Sequence, residues 1–145
     1  MSAGRICSRT FATAFPGETV RAAAQRMQLH GVGSLVVVEP GATAEARGVI
    51  TDRDITLRCV APGLDPDATL VAAVMTAPVM TVDEETPVEA AVEAMARAGT
   101  RRLVVTGIGR KAVGVLAMDD VLDLVVEELG PIAQLLAKQQ PHVPG

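Results

Sequence analysis

Residues 13–55, TAFPGETVRAAAQRMQLHGVGSLVVVEPGATAEARGVITDRDI, and residues 81–121, TVDEETPVEAAVEAMARAGTRRLVVTGIGRKAVGVLAMDDV, are two versions of one pattern. At an offset of 68, Thr13, Val20, Met27, Gly31, Leu35 and Val37 fall on Thr81, Val88, Met95, Gly99, Leu103 and Val105. The loop between the two β-rich runs is two residues longer in the first copy. Beyond it the offset is 66, and Gly48, Asp54 and Ile55 meet Gly114, Asp120 and Val121. Such a duplication predicts two like units facing each other across a pseudo-twofold axis, with clefts where they meet. Positions at which the copies differ then carry the information about function.

Each copy runs through the same elements. A short extended segment (10–15; 79–82) leads into an acidic turn, PGETV or DEETPV. Glu18 with Thr19, and Glu84 and Glu85 with Pro87, suit the start of a helix, where the dipole favours acids and an early proline is tolerated. Val20, Ala23, Ala24 and Met27, like Val88, Ala91, Val92 and Met95, repeat at the spacing that buries one helical stripe. Gly31 and Gly99 stand where a left-handed helix stop belongs. Two β-branched runs follow in each copy, SLVVVE with RGVIT and RLVVT with AVGVL, and a second helix begins at Asp52–Asp54 or Met118–Asp120. The unit is β-α-β-β-α, an α/β arrangement of the α+β type. The predicted divisions are 5–60 for the first repeat, 61–77 for a linker with a short helix (ATLVAAVM) and 78–128 for the second repeat. The remainder, 129–145, is read as a C-terminal helix with a fraying tail, QQPHVPG, and a kink or break at Gly130-Pro131.

At 145 residues the two units form one compact body. A single repeat of about 60 residues is marginal alone, so the halves are expected to share a core. That core must be aliphatic: there is no Trp or Tyr, and Phe11 and Phe15 are the only aromatics. A net charge of −4 and the lack of stacking rings argue against nucleic-acid binding. No apolar run is long enough for a membrane span or a signal core, and a cytoplasmic location is the expectation. Cys7 and Cys59 lack neighbours at metal-ligand spacing and read as reduced thiols, and the six methionines as pliable core; no metal site is expected.

The chemistry concentrates in one motif. Gly48-Val49-Ile50-Thr51-Asp52-Arg53-Asp54 and Gly114-Val115-Leu116-Ala117-Met118-Asp119-Asp120 each place a glycine before a helix start and an acid within it. The glycine would let a ligand approach the backbone. A hydroxyl at a helix N-terminus can cap it or bond a phosphate, and a carboxylate three residues on can accept both hydroxyls of a ribose. Thr51 and Asp54 equally form an ordinary Thr-x-x-Asp helix start.

The element order, the duplication, GVITDRDI, the GLDPDATLVAAVMT linker and the GTRRLVV strand together resemble a tandem cystathionine-β-synthase (CBS) domain pair, the Bateman module, over roughly residues 5–126. The likeness is strongest to small stand-alone bacterial proteins of this family. It implies a regulatory module for an adenosine-containing ligand such as AMP, ADP, ATP or S-adenosylmethionine. It further implies that the motif Asp holds the ribose and the hydroxyl lies near the phosphates. Main-chain groups of the first extended segment would read the adenine, and basic residues before the strand of the opposite repeat would reach the phosphates. Carried onto this chain, cleft one has Thr51 and Asp54 facing Arg101 and Arg102. The second, degenerate cleft has Asp120, but Ala117 replaces the hydroxyl, and Gly33 and Ser34 stand where the arginines would be. Hydrogen bonds to charged groups contribute about 1.5–3 kcal/mol against about 0.5–1.5 for neutral ones, which favours cleft one tenfold or more even after discounting for solvent. The first repeat opens with RICSRTFATAFPGETV, departing from the family's Met-Thr turn and Pro, whereas VMTAPVMTV keeps them.

Arg53 and Arg58 read as surface residues near the motif, and His30 as a helix-end cap. With His30 and His142 the only histidines, and Asp52/Asp54 and Asp119–Asp120 explained as acidic helix starts, no catalytic set is assembled and an enzyme is not expected. The leading expectation is a nucleotide sensor that signals through self-association or an unidentified protein partner. The rival is a structural homodimer with a vestigial cleft, supported by the apolar face of Val121, Leu122, Val125, Val126 and Leu129. A homodimer is expected under both.

Overall fold

The computed structural model describes residues 1–41 and 44–139; Ala42 and Thr43 in the first copy's loop, and His142 with the rest of the tail, lie outside them. Two three-stranded sheets form, one per half. In the first, β1 (Thr13–Ala14) runs parallel to β2 (Ser34–Val38), which pairs antiparallel with β3 (Ala46–Thr51). In the second, β4 (Thr81–Asp83), β5 (Arg102–Thr106) and β6 (Ala112–Ala117) repeat that order. Even the irregularities match: β2 shifts register between Val37 and Val38, and β5 between Val105 and Thr106, a distance of 68 residues on.

β2 and most of β5 are continuously apolar because both of their faces are buried. Leu35 and Val37 point into the core beneath the helices of the first half, and Leu103 and Val105 do the same in the second. The alternate residues Val36, Val38 and Val104 meet between the two sheets with Ala112, flanked by Phe11, Val49 and Val115. The halves therefore share a central apolar layer, as a domain of this size requires.

Helices α2 (Val20–His30) and α5 (Val88–Ala98) cover the outer faces. The Thr19 hydroxyl caps α2 by accepting the Ala22 N–H, and both helices stop at a left-handed glycine, Gly31 or Gly99. The second helices differ. α3 (Asp52–Ile55) widens into a π turn at Thr56–Val60 and ends, whereas α6 runs from Met118 to Gln139. Of the kink or break expected at Gly130-Pro131, the break is absent, since α6 continues through Pro131. This stretch stands in water, so the Glu127 carbonyl that loses its intrahelical partner can be solvated instead.

Two short helices cross between the halves. α1 (Ala3–Ile6) belongs by sequence to the first copy but packs with the second: Ala3 joins the core of Val88, Met95 and Leu116, and the Ala3 and Gly4 N–H groups donate to the Thr86 and Glu84 carbonyls. α4 (Val71–Val74), from the segment between the copies, inserts Val71 and Val74 into the core of the first half, both fully buried. α1 and α4 are counterparts at the same offset of 68, so each half is completed by the chain that enters the other. Among the described residues no helix is long and apolar enough to cross a membrane.

Candidate functional site

The crossing of α4 decides the composition of the main cleft. Just after α4, Thr76 pairs with β3 through two backbone bonds: the Val49 N–H donates to the Thr76 carbonyl (3.0 Å), and the Thr76 N–H donates to the Val49 carbonyl (2.8 Å). Gly48 makes this possible. A Cβ there would lie 2.7 Å from the Thr76 carbonyl oxygen and 3.1 Å from the Met75 sulfur. The motif glycine thus admits the protein's own chain, not a ligand as the sequence suggested. Gly114 does the same for the chain at Ser8, which pairs with Val115.

Thr51 and Asp54 form a reciprocal cap at the start of α3. The Thr51 Oγ1 accepts the Asp54 N–H and Asp54 Oδ2 accepts the Thr51 N–H, both at 3.0 Å. The Thr76 hydroxyl donates to the same carboxylate, 3.1 and 3.2 Å from its two oxygens. Asp54 is 9% exposed. A carboxylate offers about four acceptor positions, so these two donors leave it capacity for others. Arg58 is exposed, as expected of a surface residue, and also donates from Nη1 to the Val74 and Met75 carbonyls at 3.3 and 3.0 Å, with Nε 4.0 Å from Asp54. It ties the end of α4 to α3 and holds Thr76 beside the carboxylate.

Between the halves lies a solvent-open cleft of about 830 Å³. One wall carries Val49, Thr51 and Thr76; the floor is Pro78, Val79 and Met80; the facing wall comes from the second half, with Thr100, Arg101, Arg102 and Asp119. Thr51, Arg101 and Arg102 are therefore brought to one cavity, with Asp54 immediately behind Thr51 and Thr76. Arg102 Nη1 is 3.5 Å from the Ser34 hydroxyl, and Arg101 Nη2 is 3.8 Å from Asp119 Oδ1. Both arginines are exposed.

The segment lining this cleft corrects one expectation. The first extended segment, residues 10–15, was placed against Thr51 and Asp54; the segment found there is 76–80, which carries the intact Met-Thr-Ala-Pro pattern. The divergent RICSRT stretch lies instead against β6, beside the motif that has lost its hydroxyl. Intact parts have gathered in cleft one and altered parts opposite. Thr76 was missed for this reason. Its signal was present in the offset, which aligns Thr76 with Ser8.

On the other side, Asp120 Oδ2 accepts the Ala117 N–H at 3.0 Å, but the Ser8 hydroxyl turns to the Thr10 carbonyl and not to Asp120. A smaller cavity of about 550 Å³ opens at Thr10, Phe11 and Ala12, the counterparts of Pro78, Val79 and Met80; Asp120, Gly33 and Ser34 are not on its wall. Arg26 and Glu18 border it as a closed pair, Nη1 to Oε1 at 2.9 Å and Nη2 to Oε2 at 2.6 Å. The bond from Arg26 lowers the Glu18 carboxyl below its usual range and correspondingly raises the guanidinium. His30 is exposed in the last turn of α2 at the edge of this cavity. Cys59 is buried and Cys7 half-buried, burial pushing the Cys7 thiol up. Among the described residues no three His, Cys, Asp or Glu side chains converge as metal ligands.

Fold and cleft together define a duplicated α/β module with one developed, partly cationic cavity between its halves. The CBS domain family model matches residues 3–60 and again 71–127, and the chain belongs to that family. It is 34% identical over 143 residues to the protein MK0525 of Methanopyrus kandleri, covering 99% of this chain and 72% of the relative. It is 37% identical over 109 residues to the CBS domain-containing protein YhcV of Bacillus subtilis, covering 75% and 74% of the two chains. Among solved structures, the CBS domain protein PAE2072 from Pyrobaculum aerophilum, complexed with AMP, superposes with a TM-score of 0.74 at 28% identity, over 87% of this chain and 99% of that one.

Proposed function

We propose that this chain is a cytoplasmic regulatory protein that binds an adenosine-containing nucleotide in cleft one and passes the signal on through a homodimer or a separate protein partner. The observation that carries the reading is the convergence of Thr51, Thr76, Arg101 and Arg102 on a single cavity backed by the Asp54 carboxylate. Aliphatic Val49, Val79 and Met80 line the same cavity and suit a purine face, and the two guanidinium groups suit phosphate oxygens. The AMP held by the Pyrobaculum relative gives independent support. A ligand that touches both walls stabilises one relative placement of the halves by its differential affinity, which is how it would act as a signal. The role is binding rather than catalysis.

A thermal-shift panel of AMP, ADP, ATP, S-adenosylmethionine and NAD tests this. A saturable rise in melting temperature with an adenosine ligand, lost in Arg101→Ala/Arg102→Ala, is expected. No shift with any of them favours the second reading, a structural homodimer with a vestigial cleft, for which the prior engagement of Asp54 and the exposed face of α6 speak.

A further inference from the structure

We infer that Asp119 tilts cleft one toward a nucleoside monophosphate and against the di- and triphosphate. The inference rests on the nucleotide reading above and extends it. The charged side chains on the wall of the cavity are Arg101, Arg102 and Asp119. Two guanidinium groups against one carboxylate leave a net charge of +1. Asp119 Oδ1 lies 3.8 Å from Arg101 Nη2, so a phosphate chain held by Arg101 also stands near a carboxylate. Arg58 is not on the cavity wall, and its Nη1 donates to the Val74 and Met75 carbonyls. The repulsion from Asp119 grows with the ligand's charge, so a triphosphate at about −4 loses about twice as much to it as a monophosphate at about −2.

Asp119 and Arg101 are both well exposed, so the effect is screened and modest. Two extra ligand charges about 8 Å from a carboxylate in water alter relative affinity by about fivefold. The experiment is calorimetric titration of AMP and ATP, at low and at high salt, into the wild-type protein, Asp119→Asn, and Asp123→Asn as a control with the same change in net charge on the exposed face of α6. Asp119→Asn is expected to shift the ratio of AMP to ATP affinity about fivefold toward ATP at low salt, and less at high salt, while Asp123→Asn leaves it unmoved. If Asp119→Asn weakens or strengthens both nucleotides alike, or if Asp123→Asn moves the ratio equally, Asp119 is not the determinant although the cleft still binds nucleotide. If neither nucleotide binds any of the three proteins, the nucleotide reading falls and this inference with it.

Discussion

At the scale of single residues, identity was legible where the chemistry is local and illegible where it depends on what the chain brings alongside. The Thr51–Asp54 pair reads from spacing as both a helix cap and a ligand site, and the structure shows the cap in place with a third donor, Thr76, that no local window contains. Gly48 was readable as a point of close approach, but not what approaches it, because Thr76 lies 28 positions further on. Glu18 is similar. Its place in the acidic turn suggested a helix-dipole role, yet its bonds go to Arg26 and to the Phe15 N–H, and Arg26 also donates to the Thr13 carbonyl at 2.7 Å. The pair thus pins β1 to α2. Since the Glu18 carboxyl is lowered in the folded state, its contribution is present above the unfolded carboxyl value of about 4.3 and is lost as pH falls through the folded value. Glu18→Gln is expected to cost about 1 kcal/mol at pH 7, after allowing for partial exposure, and lower the melting temperature by a few degrees. The gap to wild type should close as the medium is taken below pH 4. A gap that persists unchanged in acid would show that packing, not charge, holds the contact.

At the scale of elements, periodicity succeeded wherever one stripe is buried. The stripes of α2 and α5, their glycine stops and the strand pairs were all readable, because each depends on residues three, four or two apart. The exchange of α1 and α4 was not. The short helix in the linker was readable and α1 was not, but which half each completes is a question of topology that no local window answers. The segment RICSRT was accordingly assigned to the wrong cleft, and the apolar list for the last helix included Val121, which is buried in the second core. Of the kink or break expected at Gly130-Pro131, the break does not occur, since the rule that proline breaks a helix weakens where water can take up the freed carbonyl.

At the scale of the whole molecule, α6 and cleft one are the two features that break the symmetry of the duplication. Leu122, Val125, Leu129, Ile132 and Leu136 stand alternately three and four residues apart on α6, each about half exposed. That is the spacing of a two-stranded coiled-coil seam, with Pro131 off the seam and no charge on it. In the proposed homodimer a second copy of the same helix would match it in length and spacing. Leu129→Asp is therefore expected to convert a dimer into a monomer in sedimentation while leaving the fold intact by circular dichroism; a variant that keeps the wild-type mass would move the contact elsewhere on the surface.

Cleft one carries the central claim, that a single nucleotide site per chain arises because the intact hydroxyl, the intact Met-Thr-Ala-Pro segment and both arginines lie on the same side of the pseudo-twofold axis. The asymmetry was partly visible in the aligned copies, as Ala117 against Thr51 and Gly33-Ser34 against Arg101-Arg102. Its full extent needed the crossing of the chain. The most direct measurement is the stoichiometry of AMP binding by isothermal titration calorimetry on the intact protein. One AMP per chain, abolished by Arg101→Ala/Arg102→Ala and unaffected by Asp120→Asn, is the predicted result. Two equal sites per chain, or one that survives loss of both arginines and vanishes with Asp120, would contradict it.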